Sequence, residues 1–169
     1  MLNELSRFLR LSFGKGTGIV TMAQELECLN AYVKLMQDRY DGAFTYNVDV
    51  EEDTLDNQIP KFTLQPLVEN ALLHGLLHCE KKDKCIMVRS WMDENAWYIE
   101  IEDNGMGMTQ EEADLILENE NDVQADNYGI YNIQGRLRIF SENRCHMRVI
   151  SRLGIGTCVC IEITKRKEK

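Results

Sequence analysis

Apolar residues recur at helical spacing in five stretches of the chain, and each stretch predicts a helix. Two of these stretches open with a capping box, Thr21 with Gln24 and Thr109 with Glu112. The third stretch is apolar around most of its circumference, which indicates a largely buried helix. The predicted helices run from Leu2 to Phe13, from Thr21 to about Tyr40, from Lys61 to His78, from Thr109 to Leu117 and from Ile130 to Phe140.

Other stretches alternate apolar with polar residues, which predicts strands. The first strand follows Asp41-Gly42, and we place a domain boundary at this change of period. The residues Asp93-Glu94-Asn95 join two later strands as a hairpin. The predicted strands run from Phe44 to Val50, from Cys85 to Trp91, from Ala96 to Asp103, from His146 to Ser151 and from Thr157 to Thr164.

The composition is that of one globular domain of ordinary size, with 169 residues of which 44% are hydrophobic. The net charge of −9 disfavours nucleic acid and anionic membranes as partners, because both are bound through clustered Lys and Arg. No apolar stretch reaches the roughly 20 residues that cross a bilayer. We therefore expect a soluble chain.

The six cysteines are interpreted as cytosolic thiols and not as a disulfide framework. Cys158 and Cys160 would share one face of a strand, where they are interpreted as small packing residues. The sequence has no Cys-x-x-Cys pair, so zinc is not expected. His74 and His78 have the spacing of two metal ligands, but no third ligand accompanies them.

Two polar residues within apolar patterns are candidate ligand contacts. Asn70 shares a side of its helix with Pro66 and His74, and a bound ligand and a structural hydrogen bond explain it equally well. Asp103 ends the apolar face of a strand, and a glycine-rich loop follows it. This arrangement favours a ligand pocket, although Asp-Asn-Gly turns are also common structural features.

Two other glycine-containing segments are weaker candidates for phosphate binding. Gly129 lies at a predicted helix N-terminus, where free N–H groups bind phosphate, but a plain connection is equally common there. The cluster Gly14-Lys15-Gly16-Thr17-Gly18 lacks the spacing of a P-loop and is interpreted as a linker.

Four segments, in this order and setting, resemble the nucleotide-binding boxes of the GHKL, or Bergerat-fold, ATP-binding domains. Gln65 to Gly75 resembles the N box, and its Gln-Pro-Leu-Val-Glu-Asn-Ala is similar to the YesM/LytS-like class of bacterial sensor histidine kinases. The other boxes are Asp103 to Gly107, Gly129 to Asn132, and Gly154 to Thr157.

The resemblance implies an α+β fold, a two-layer α/β sandwich in which helices cover one face of a mixed sheet. Residues 1–41 would be the end of the dimerisation and phosphoacceptor region, and residues 42–169 the catalytic domain. The activity would be transfer of the ATP γ-phosphate to a histidine upstream of this chain. The implied partners are that upstream dimerisation helix, a second copy of the protein and a response regulator, and the implied setting is the cytoplasmic side of a bacterial inner-membrane receptor.

The resemblance also assigns roles to individual residues. Asn70 would bind Mg²⁺, and Asp103 would accept a hydrogen bond from the adenine amino group. Gly129 and the loop before it would form a lid, and phosphate charge would be met by Arg136, His74 or Lys61. The full set of implied nucleotide-binding residues is Asn70, His74, Asp103, Gly105, Gly107, Gly129, Arg136, Gly156 and Thr157.

Three positions depart from the family pattern. Asn127 replaces the first glycine of the second box, and Leu73 stands where a lysine is frequent. Pro66 stands where hydrolytic relatives carry a water-activating glutamate, so efficient ATP hydrolysis is not expected. His146 and the two N-box histidines are not suitably placed to accept phosphate.

Two alternatives remain open at this point. An anti-sigma-factor-type serine kinase has the same fold, but it normally carries the glutamate that Pro66 replaces. A degenerate GHKL binding module without kinase activity would explain Asn127 and Leu73 equally well.

Overall fold

A computed structural model describes residues 2–13, 18–118 and 128–166. Along the chain the elements are α1 (Leu2–Phe13), β1 (Ile19–Thr21), α2 (Met22–Arg39), β2 (Thr45–Val50), β3 (Gln58–Pro60), α3 (Leu64–Asn70) with a π-helical continuation (Ala71–Leu76), β4 (Cys85–Met92), β5 (Ala96–Asp103), α4 (Gln110–Glu118), α5 (Tyr128–Phe140), β6 (Cys145–Arg152) and β7 (Gly156–Thr164).

A mixed five-stranded sheet forms the centre of the fold, in the order β2-β4-β5-β7-β6. The edge strand β2 runs parallel to β4, and the other neighbours are antiparallel. The β4–β5 hairpin closes as predicted, because Asp93 Oδ1 accepts hydrogen bonds from the amides of Asn95 at 2.7 Å and Ala96 at 2.8 Å. The two-layer α+β architecture is therefore confirmed.

Alternation along the central strands places one apolar face against the helices and leaves the other face open to solvent. On β5 the predicted face of Trp97, Ile99, Ile101 and Asp103 is buried. Full burial of each such isoleucine stabilises the fold by about 1.5–3 kcal/mol. The core holds Asp103 at the end of this apolar row.

Both predicted capping boxes are present. Thr21 Oγ1 accepts from the Gln24 amide at 3.2 Å, and Gln24 Oε1 accepts from the Thr21 amide at 3.0 Å. Thr109 and Glu112 make the same reciprocal pair at the start of α4. These contacts satisfy N–H groups that the first helical turn leaves without partners.

The third predicted helix differs from the structure in two ways. It begins at Leu64 and not at Lys61, because Phe62 has φ +59° and cannot continue a right-handed helix. It then widens at Ala71–Leu76, where the Leu77 amide donates to the Leu72 carbonyl five residues back at 2.9 Å.

A short ribbon was not predicted from the sequence. Ile19–Thr21 pairs antiparallel with Gln58–Pro60. Three residues per strand are too few to establish an alternating pattern. Residues 14–17 of the predicted linker lie outside the described residues, as does Asn127 of the predicted lid.

The upstream helices pack on the rest of the fold. Phe8 on α1 contacts Tyr32 on α2, with ring centroids 5.9 Å apart. Leu29 on α2 belongs to the same hydrophobic core as Leu67 on α3. The domain boundary at residue 41 stays a prediction. None of the described helices is long and apolar enough to span a bilayer.

Candidate functional site

A cavity of about 670 Å³ opens between the α3 helix with its π-helical continuation, the carboxyl end of β5 and the helices α4 and α5. Its size is that of a site for a small organic ligand. The cavity is lined by Leu67, Asn70, Ala71, His74, Gly75, His78, Ile101, Asp103, Met106, Gly107, Met108, Glu112, Ile116, Ile130, Val149, Leu153, Thr157 and Val159.

Asp103 is the buried carboxylate of this cavity, with only 7% of its surface exposed. Its Oδ1 accepts a hydrogen bond from the Gly105 amide at 2.7 Å. Burial raises the pKa of Asp103 to about 6, although hydrogen bonds from the amides of Gly105 and Thr157 oppose this rise. At neutral pH the group is therefore mainly an ionised hydrogen-bond acceptor facing a largely apolar chamber.

Neighbouring glycines let other segments pack closely against Asp103, Gly75 against its carboxylate and Gly156 against its backbone. A β-carbon at Gly75 would lie 2.7 Å from Asp103 Oδ1, closer than atoms can approach. At Gly156, with φ +145°, a β-carbon would lie 1.9 Å from the Asp103 carbonyl oxygen. Gly75 was not predicted as a site residue, although the His-Gly pair of the N box is its sequence signal.

The glycines of the loop after β5 mainly serve the packing of the protein itself. A β-carbon at Gly105 would lie 2.3 Å from the carbonyl carbon of Gly75. Gly107 lines the cavity, and a β-carbon there would lie 2.1 Å from the Arg152 carbonyl oxygen. The packing of the chain itself therefore also requires glycine at these positions, and the predicted close approach of a base and ribose stays a prediction.

Lys81 links the loop after β5 to the turn between β6 and β7, and residues next to its partners line the cavity. Its Nζ donates to the carbonyls of Asn104 at 2.7 Å and of Ile155 at 2.9 Å, and more weakly to Gly105 at 3.4 Å. This lysine was not predicted as a site residue, because it lies in an irregular connection and its partners are far away along the chain.

Asn70 also lines the cavity and is half-buried. Within residues 2–13, 18–118 and 128–166, no hydrogen-bond partner is found for its side-chain amide. The first turn of α5 lies beside it, since a β-carbon at Gly129 would lie 3.6 Å from Asn70 Nδ2. An amide oxygen next to a roomy cavity fits the oxygen ligands that Mg²⁺ prefers.

The predicted phosphate contacts divide into two groups. His74 lines the cavity and is exposed, as is His78. Arg136 does not line it, because its guanidinium donates to the carbonyls of Lys61 at 2.8 Å and Phe62 at 2.7 Å. Lys61 Nζ is likewise directed away, to the Leu11 and Ser12 carbonyls at the end of α1.

Of the predicted nucleotide-binding residues, the structure therefore brings one group to the cavity and leaves another outside its lining. Those in the lining are Asn70, His74, Asp103, Gly107 and Thr157. Those outside it are Gly105, Gly129, Arg136 and Gly156.

A side chain of α2 binds the backbone at the start of α3. Glu25 on α2 is 3% exposed, and its two oxygens accept from the amides of Phe62 at 3.1 Å and Leu64 at 3.0 Å. Burial raises the pKa of Glu25, and these amides and the charge of Arg136 oppose the rise. Glu25 and Arg136 together fix the strained Phe62 backbone from which the helix carrying Asn70 begins.

Comparisons with known proteins relate the chain to histidine kinases. A family model described as Histidine kinase matches residues 1–44. An uncharacterized sensor-like histidine kinase of Staphylococcus epidermidis is 28% identical over 165 residues, which are 96% of this chain and 32% of that protein. Sensor protein kinase HptS of Staphylococcus aureus is 25% identical over 165 residues, covering 96% of this chain and 31% of HptS. The chain thus spans about a third of the length of these relatives.

The fold has a counterpart among solved structures. The catalytic domain of histidine kinase ThkA superposes with a TM-score of 0.59 at 14% identity, covering 87% of this chain and 94% of that domain. At 14% identity, this similarity shows a shared fold and nothing further. The chain is therefore similar in sequence to sensor histidine kinases and has the fold of a histidine kinase catalytic domain.

Proposed function

We propose that the chain binds Mg-ATP in the cavity beside Asp103 and donates the γ-phosphate to a histidine that lies upstream in the full-length protein. The observation that carries this proposal is the buried Asp103 carboxylate, which faces a cavity large enough for a nucleoside. ATP binding is what the histidine kinase catalytic fold implies.

Asp103 selects the base in this proposal. Its ionised carboxylate accepts a hydrogen bond from the adenine amino group, and Thr157 lines the same end of the cavity. Guanine presents a carbonyl oxygen at the corresponding position, which would leave the buried carboxylate without a donor. A site built around such a hydrogen bond rejects the wrong partner strongly.

Asn70 and the two exposed histidines serve the phosphate end. Asn70 supplies an amide oxygen to Mg²⁺, which when bound neutralises phosphate charge. His74 lies one helical turn further along, and His78 after it, so each can donate a hydrogen bond to phosphate oxygens. Gly129 at the start of α5 would lie under the lid, while Arg136 acts indirectly by holding the segment before α3.

The isolated chain is proposed to donate phosphate but not to hydrolyse ATP. Pro66 cannot act as a general base, and Glu69 does not line the cavity but contacts the Tyr32 hydroxyl on α2. Glu112 does line the cavity, yet its carboxylate already accepts from the Thr109 amide and hydroxyl. We therefore assign a water-activating role to none of these three residues.

The wider assembly is also part of the proposal. The full-length protein would be a homodimer whose dimerisation helix precedes this chain, would pass phosphate to a response regulator and would be anchored in the bacterial inner membrane. The sensor-like relatives and the match of residues 1–44 to the histidine kinase model support this arrangement.

Calorimetry with Mg-ADP and Mg-GDP tests the nucleotide site. We expect binding of ADP in clear preference to GDP, and weaker binding by Asp103→Asn. The control is Asp93→Asn, which alters an aspartate that also accepts amide hydrogen bonds but lies in the distant hairpin. Equal binding of both nucleotides, or equal affinity of Asp103→Asn and wild type, would exclude this site.

Labelled ATP tests the phosphotransfer. The chain alone should remain unlabelled and release little phosphate, whereas addition of the upstream dimerisation segment should give an acid-labile label on that segment. Nucleotide binding without any label would favour the degenerate module. Labelling of a serine on a separate protein would favour the anti-sigma-type kinase.

A further inference from the structure

Two thiols and a carboxylate meet on the open face of the sheet, away from the nucleotide cavity. Cys158 and Cys160 lie two residues apart on β7, and Glu100 on β5 is the direct cross-strand partner of Cys160. Thr157 and Val159, which alternate with these cysteines, line the cavity on the other face. The cluster is thus separated from the proposed ATP site by the sheet itself.

The distances within the cluster match those of zinc ligands. The Cys158 and Cys160 sulfurs are 3.6 Å apart, and the Cys160 sulfur lies 3.6 Å from Glu100 Oε1. Tetrahedral zinc with bonds of about 2.3 Å to sulfur and 2.1 Å to oxygen separates two sulfurs by about 3.8 Å and a sulfur from an oxygen by about 3.6 Å. All three ligand atoms lie within 4.8 Å of one another.

Neighbouring charge orients the carboxylate toward the sulfurs. Arg89 Nη1 on β4 lies 3.8 Å from Glu100 Oε2 and donates to Glu102 Oε2 at 2.7 Å. The arginine therefore attracts one oxygen of Glu100 and leaves Oε1 facing Cys160. Such support from an outer residue is typical of metal ligands. The thiols are half-buried, so a cation has access from solvent.

We propose that Cys158, Cys160 and Glu100 form a zinc-binding site on the open face of the sheet. Both cysteines bind as thiolates and release their protons to solvent, Glu100 supplies one oxygen, and water completes the tetrahedron. Zinc held in this way cross-links β5 to β7. The proposal departs from the sequence-based interpretation of the two cysteines as packing residues, because the third ligand, Glu100, comes from another strand.

Metal titration of the whole chain without nucleotide tests the site. After removal of metal by a chelator, Zn²⁺ is titrated by calorimetry and Co²⁺ by absorption, where a sulfur-to-cobalt charge-transfer band reports thiolate ligands. We expect one ion per chain. Cys158→Ser and Cys160→Ser should each weaken binding by at least about tenfold, the loss that even outer partners of metal ligands produce. Glu100→Gln should weaken it less.

Matched variants test whether zinc binds at this cluster or at other metal-ligating residues. Cys79→Ser changes a free, half-buried thiol outside the cluster and should leave the titration unchanged. Cys158→Ala and the thermal midpoint of each variant without metal show whether a loss reflects unfolding. Unchanged Zn²⁺ affinity in folded Cys158→Ser or Cys158→Ala, or loss of the ion on His74→Ala with His78→Ala, would overturn the proposal. Nucleotide binding by these cysteine variants should be normal, so the outcome is independent of the proposed kinase function.

Discussion

The backbone of Gly75 touches the carboxylate of Asp103 so closely that a β-carbon at residue 75 would lie 2.7 Å from Oδ1. Gly75 lies in the π-helical continuation of α3 and Asp103 ends β5, so this contact joins the two halves of the candidate site. The Gly75 carbonyl also accepts from the Met106 amide at 3.0 Å, which ties the loop after β5 to the same point.

Substitution Gly75→Ala should therefore weaken nucleotide binding while the protein remains folded. Displacement of the carboxylate that we propose accepts the adenine hydrogen bond should cost about 1.5–3 kcal/mol, or roughly tenfold to a hundredfold in Kd. The measurement is ADP calorimetry. Gly135→Ala in α5 is the matched control, since a β-carbon there meets no atom within 4 Å, and it should bind ADP normally. Normal binding by Gly75→Ala would show that this contact does not position Asp103.

The variant Asp103→Asn should bind adenine nucleotide less well yet be more stable at neutral pH. The pKa of Asp103 is raised to about 6, so the folded state keeps this proton to a higher pH than the unfolded chain does. Stability contributed by the protonated form is therefore lost as pH rises from about 4 to about 6, by about 3 kcal/mol at most.

Urea unfolding of wild type and Asp103→Asn at pH 4.5 and 7 measures this effect. The neutral amide has no charge to desolvate, so the free energy of unfolding of the variant should fall less than that of wild type between the two pH values. Equal pH dependence in both proteins would mean that Asp103 is not the titrating group. The exposed Asp93, changed to Asn, should not gain stability at neutral pH.

Replacement of Lys81 by methionine should loosen the walls of the cavity. The change keeps the apolar stem but removes the ammonium that binds the Asn104 and Ile155 carbonyls. Loss of hydrogen bonds to a charged donor should destabilise the fold by about 1.5–3 kcal/mol and lower nucleotide affinity. Thermal unfolding and ADP binding are compared with those of Lys82→Met, an exposed neighbour. Identical behaviour of the two variants would remove Lys81 from the site.

Asn70→Ala should abolish the magnesium-dependent part of nucleotide binding. Wild type should bind ADP more tightly with Mg²⁺ than with a chelator, and the variant should show little difference, because an amide oxygen ligand is lost. Asn95→Ala, in the exposed hairpin, should behave as wild type. A folded Asn70→Ala with full magnesium dependence would assign the metal to other residues, and an unfolded one would give Asn70 a structural role.

Glu25→Gln should destabilise the start of α3. A glutamine side chain has a single acceptor oxygen, so one of the two amides at Phe62 and Leu64 would be left buried without a partner, at a cost of about 1–3 kcal/mol. Chemical denaturation checks the loss. Glu27→Gln on the same helix removes only an exposed ion pair with Arg7 and should change stability by less than about 1 kcal/mol.

Local patterns predicted the elements well and the long-range contacts poorly. The alternation that ends at Asp103 and the pair Thr21–Gln24 are readable because their partners lie within a few residues. Lys81 and Arg136 bind carbonyls that are far away in the sequence, and no local period reports such contacts. The resemblance implied Arg136 as a candidate phosphate contact, whereas its guanidinium binds the Lys61 and Phe62 carbonyls.

The π-helical turn at Ala71–Leu76 has a consequence for the spacing of the site. In a regular α-helix, residues five positions apart point about 140° away from each other, which would turn Gly75 away from the side of Asn70. The wider turn brings both to one cavity wall. Regular α-helical winding of the same residues would rotate Gly75 off Asp103, whereas deletion of one residue from the turn would make Gly75 the fourth residue after Asn70 and return it to within about 40° of that side. The wider turn thus accommodates one extra residue between Asn70 and the glycine that packs on Asp103.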